Sequence, residues 1–70
     1  MTVKELLQYV NSMSTLITVY DSEKNHILCA KAEDIINGIA KKKVKKVLES
    51  KIISFDVDAY DGLVIYLCGW

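Results

Sequence analysis

The residues able to do chemistry are few and far apart. His26 is the only histidine, and Cys29 and Cys68 are the only cysteines. A structural zinc site needs Cys and His at close spacings such as Cys-x-x-Cys, and this chain has none. His26 stands three residues before Cys29. On a strand, residues three apart point to opposite faces, so the imidazole is not placed to act as a base for that thiol. It reads instead as a solvated residue at the rim of a strand. The cysteines lie in apolar runs at 26–30 and 64–68, with no secretory signal before them. They read as reduced, partly buried thiols. Asp56, Asp58 and Asp61 form Asp-x-Asp-x-x-Asp, which lacks the loop length and terminal glutamate of a calcium-binding EF-hand. A solvated hairpin end is the simpler reading. No serine sits in a nucleophile elbow, and the three glycines are too scattered for a phosphate loop. No catalytic, cofactor-binding or metal-ligating residue is expected.

The densest charged feature is Lys41, Lys42, Lys43, Lys45 and Lys46. Clustered lysines on a helix can form a patch for nucleic acid or another polyanion. Three facts weigh against that role here. Lysines and acids cancel to a net charge of zero. The chain has no arginine, the residue whose planar fork grips phosphate or guanine. No aromatic residue interleaves with the lysines to stack on bases. The cluster therefore reads first as the solvated face of a packed helix, with a nucleic-acid-binding accessory protein as the alternative.

The elements that would carry these residues follow from periodicity. Thr2-Val3-Lys4-Glu5 has the form of a capping box. Val3, Leu6, Leu7, Val10 and Met13 then recur at helical spacing, which predicts a helix ending near Asn11 and Ser12. Residues 15–20 and 26–31 read as two strands joined by the polar loop 21–25. Residues 32–49 are helical, with Asn37-Gly38 interrupting an apolar stripe of Ile35, Ile36, Ile39, Ala40, Val44, Val47 and Leu48. Since glycine costs roughly 1 kcal/mol inside a helix, either two helices or one kinked helix is expected. Residues 52–58 alternate, with Ile53, Phe55 and Val57 on one side. Asp61-Gly62 signals a turn before a strand over 63–68.

The order is α-β-β-α(α)-β-β, in one domain over residues 1–70. The predicted class is α+β, a two-layer sandwich with a four-stranded antiparallel sheet and the helices on one face. Ile53, Phe55, Val57, Leu63, Ile65 and Leu67 would line that face. The other face would stay open, with Leu28 among its apolar residues and the register of the first hairpin undecided. An aromatic and aliphatic centre with a polar rim has the composition of an interface. Tyr20, Ile52, Val64, Tyr66 and Trp70 are its candidate residues. A chain of 70 residues buries only about 60% of its unfolded surface, so self-association through this face would also support the fold.

The segments TVKELLQYV, LITVYDSEKNHILCAKAEDI and VLESKIISFDVDAYDGLVIYLCGW resemble a loose group of small α/β proteins. These are encoded by phages and prophages of low-GC Gram-positive bacteria. The resemblance spans nearly the whole chain. It implies a non-enzymatic interaction protein acting in the bacterial cytoplasm, with no cofactor. Such a protein would bind and block a host or phage protein or sequester a ligand, as anti-CRISPR and other anti-defence inhibitors do. A minor structural component of a phage particle is a further alternative. A homodimer is expected, and no run is long enough to span a membrane.

Overall fold

The computed structural model describes residues 1–38, 41–58 and 62–69. Its elements are α1 (Val3–Leu7), β1 (Leu16–Tyr20), β2 (His26–Lys31), α2 (Ala32–Asn37), α3 (Lys42–Glu49), β3 (Ile52–Asp58) and β4 (Gly62–Leu67). The class is α+β, with three short helices and one four-stranded sheet.

The capping box forms as its residues dictate. The Glu5 amide donates to Thr2 Oγ1 at 3.3 Å, and the Thr2 amide donates to Glu5 Oε1 at 3.1 Å. These hydrogen bonds, first from the Thr2 backbone and then from its side chain, hold the Glu5 carboxyl below the usual range. The helix is shorter than its apolar spacing suggests. It stops at Leu7, leaving Val10 half-buried and Met13 37% exposed. The expected break at Asn37-Gly38 produces two helices. Gly38 caps α2, and Lys41 stands at the N-terminus of α3. Ile39 and Ala40 lie outside the described residues.

The sheet runs β2-β1-β4-β3 and is mixed, which corrects the antiparallel expectation. Each hairpin is antiparallel, but β1 and β4 lie side by side in parallel, with Ile17 opposite Leu63 and Val19 opposite Ile65. Two hairpins need not meet through antiparallel strands. Here β1 and β4, the first strand of one and the second of the other, form the centre and share one direction.

Register in the first hairpin is settled by burial. Ile17 and Val19 are fully buried and join Leu63, Ile65 and Leu67 in one core cluster with Val3, Leu6, Leu7, Ala32, Ile35, Val47 and Leu48. The buried residues of the three helices thus share one core cluster with the Ile17 and Val19 side of the sheet. Thr18 and Tyr20 fall on the opposite side, paired across the strands with Val64 and Tyr66. Leu28, expected on the open side, packs against the core instead. In the β1–β2 loop, Asp21 Oδ1 accepts the amides of Glu23 at 2.8 Å and Asn25 at 2.9 Å. The hydrogen bond from the Asn25 backbone amide is the main cause holding the Asp21 carboxyl below its usual range.

The second hairpin departs from simple alternation. Ile52 pairs with Leu67 but Ser54 pairs with Tyr66, so Ile53 is an extra residue in β3. A bulge of this kind breaks the two-residue rhythm. Ile52 packs against the core rather than standing on the open face. Ile53, Phe55 and Val57, expected in the core, are 55%, 50% and 76% exposed. Phe55 and Val57 do face the helix side, opposite Ile65 and Leu63, but no described helix covers this edge of the sheet.

Candidate functional site

The residues expected at an interface separate into two groups. Tyr20, Val64 and Tyr66 are brought together on the face opposite the helices. Their neighbours follow from register: Asp56, Val64, Thr18 and Cys29 form one row across the sheet, and Ser54, Tyr66, Tyr20 and His26 form the next. The Tyr20 and Tyr66 rings stack with centroids 5.6 Å apart and planes at 23°. His26 meets Tyr20 edge-on at 5.8 Å. Both tyrosines are half-buried and His26 is exposed. Ile52 does not join this group, and Trp70 lies outside the described residues.

The two thiols correct a further expectation, since both are free and exposed. They stand on or beside the sheet where no helix covers them. Cys29 Sγ lies 3.4 Å from Thr18 Oγ1. Among the described residues, no group of three or more His, Cys, Asp and Glu is placed to hold a metal ion. Asp61 and the Asp58 side chain fall outside that description. No helix among the described residues is long and apolar enough to cross a membrane.

Lys41, Lys42, Lys43, Lys45 and Lys46 are all exposed, while Val47 and Leu48 of the same helix are buried. The lysines therefore ride on the helix side of the sheet, away from the tyrosines.

The sequence reading missed an apolar groove between α1 and β3. It encloses about 550 Å³ and is lined by Met1, Leu6, Tyr9, Phe55, Val57 and Leu63, among others. Tyr9 is 75% exposed. The groove exists because α1 stops at Leu7 and leaves β3 unroofed. The local signal was present in the alternation of residues 53–58, but assigning that stripe to the core concealed it.

No protein-family model, curated protein or solved structure matches the chain. Its function must be argued from its own surfaces.

Proposed function

We propose that the chain is a non-enzymatic interaction protein that covers a surface of a host or phage protein through its open sheet face. The observation that carries this reading is the stacked Tyr20–Tyr66 pair on the two central strands. Tyrosine supplies large contact area with few rotatable bonds, and stacking fixes two rings before any partner arrives. Preorganisation of this kind lowers the entropy cost of association. Cys29, Ser54 and Asp56, exposed on the two outer strands, flank the pair, the pattern of an apolar centre with a polar rim. On this reading the helices form one layer over the sheet, a two-layer sandwich whose other face is free for a partner. The origin in a phage or prophage, the cytoplasmic setting and a role in blocking host defence belong to the same proposal. They rest on the resemblance of the sequence.

The test is capture of partners from a lysate of a low-GC Gram-positive host on immobilised protein, with quantitative mass spectrometry. A stoichiometric partner should bind wild type and be reduced at least tenfold on Tyr66→Ala, whose thermal unfolding is measured alongside. Equal capture by a folded Tyr66→Ala variant would move the function off this face. Failure of any protein to bind would remove the reading.

A further inference from the structure

The loop between β1 and β2 holds a lysine in a conformation that lysine does not favour. Lys24 has φ +67°, the only positive value at a non-glycine among the described residues. Its amide donates to the Asp21 carbonyl at 3.0 Å, and the Asp21 amide donates to the Asn25 carbonyl at 2.9 Å. Together with the two amides that Asp21 Oδ1 accepts, these bonds fix the turn. Asparagine or glycine adopts such a conformation at less cost, so the turn by itself does not call for lysine. An outlier of this kind points to a use for the side chain.

That side chain lines a hollow of about 340 Å³, together with Ser22, Ile53, Ser54 and Tyr66. Sheet order explains the hollow. Tyr66 on β4 stacks on Tyr20 of β1, its neighbour on one side. On the other side its cross-strand partner is Ser54 of β3, a residue too small to cover the second face of the ring. The bulge brings the exposed Ile53 to the same hollow. Among the described residues, the Lys24 ammonium and the Ser22 and Ser54 hydroxyls have no hydrogen-bond or ion-pair partner. One cation, two hydroxyls, one ring face and one aliphatic side chain therefore converge.

We propose that this hollow binds a small molecule that joins a planar aromatic ring to one anionic group, a phosphate or a carboxylate. The ring lies on the free face of Tyr66 with Ile53 as its aliphatic contact. The anion meets the Lys24 ammonium and the serine hydroxyls, in hydrogen bonds strengthened by charge. Lysine binds such a group as a point charge and does not need the planar fork of arginine. The volume stands at the low end of the roughly 300–1,000 Å³ of ligand sites, which suits a ligand of one ring system. A single ammonium suits one anionic group, not the repeated phosphates of a nucleic-acid strand. This site goes beyond the protein partner proposed above and does not depend on it.

Titration of the full chain with adenosine monophosphate, followed by the NMR shifts of its backbone amides, tests the site. One stack and one charge-assisted contact predict a dissociation constant of about 0.1–1 mM, so the titration runs to about 10 mM. The amides of Ser22, Lys24, Ser54 and Tyr66 should shift saturably. Adenosine and inorganic phosphate each carry half of the chemistry and should bind about tenfold more weakly or less. Para-hydroxybenzoate offers a carboxylate instead: tighter binding than the nucleotide assigns the site to aromatic acids, and weaker binding assigns it to nucleotides. Lys24→Asn suits the turn, so it should raise the melting temperature while weakening the nucleotide about tenfold. Lys24→Arg should retain binding. The proposal is overturned by the absence of a saturable shift with either the nucleotide or para-hydroxybenzoate. It is equally overturned by shifts centred on Lys41–Lys46 instead, or by wild-type affinity in a folded Lys24→Asn variant.

Discussion

Gly62 opens β4 at a place where two strands nearly touch, and its replacement by alanine separates two kinds of cost. Its φ is +77°, in the region that L-residues avoid, and Gly69 shares this feature at +69°. A Cβ on Gly69 would meet nothing within 4 Å, whereas a Cβ on Gly62 would collide with the carbonyl oxygen of Leu16 and lie 3.2 Å from its amide nitrogen. The left-handed conformation costs an alanine about 1–2 kcal/mol. Forcing extra volume against packed atoms adds about 1–3 kcal/mol, and here the obstacle is backbone of the neighbouring strand. Gly69→Ala should therefore lose about 1 kcal/mol and Gly62→Ala about 3 kcal/mol. A domain of this size has roughly 4–10 kcal/mol in total, and 1 kcal/mol moves the melting temperature by about 4–8 °C. The two variants should melt about 5 °C and about 15–20 °C below wild type, followed by far-ultraviolet circular dichroism. Equal shifts would refute the reasoning, because they would mean that β1 and β4 do not approach closely at Leu16 and Gly62.

Thr2→Ala removes the helix cap and should cost about 1 kcal/mol in urea unfolding; no change would show that the capping box does not hold α1. The Glu5 and Asp21 carboxyls are held below their usual range by hydrogen bonds in the folded chain. Their contribution is complete above about pH 4–5 and is lost as pH falls through the lowered folded values. Asp21→Asn should therefore flatten the acid limb of a stability–pH curve; an unchanged limb would count against the loop hydrogen bonds. Cys29 and Cys68 should both react with a thiol reagent in the native state, and a thiol that reacts only in denaturant would contradict its exposure. Labelled duplex DNA and single-stranded RNA should show no saturable binding at about 50 mM salt, where phosphate contacts are strong. Salt-sensitive binding abolished by combined Lys42→Glu, Lys45→Glu and Lys46→Glu changes would replace the proposed function with the nucleic-acid alternative.

Much of the local structure was legible because local chemistry decides it. Thr2 and Glu5 marked the start of α1, Gly38 marked the break before α3, and the polar run 21–25 marked a hairpin. What escaped was decided at a distance. Nothing in Leu16–Tyr20 says that its neighbour is Gly62–Leu67, or that the two run in parallel. The bulge at Ile53 depends on how β3 meets β4, and it exchanged the roles expected for Ile52 and Ile53. Val10 and Met13 continue the helical spacing of α1 without continuing the helix, so the unroofed Phe55 and Val57 could not be foreseen. For the same reason Tyr20, Val64 and Tyr66 were identified as candidates, but the stacking of the two rings was not.

The parallel pair at the centre of the sheet also governs how the chain reaches its fold. Ile17 and Leu63 are register partners, and joining them closes a loop of about 45 residues at an entropic cost of about 3 kcal/mol plus a constant. Each hairpin can form early from neighbouring residues, but neither acquires its buried face until the two dock. Docking should therefore be the slow step, as in other folds dominated by distant contacts. Until residues 62–67 join it, β1 keeps its inner edge unpaired. The buried residues of β4, Leu63, Ile65 and Leu67, then close the sheet and the core together.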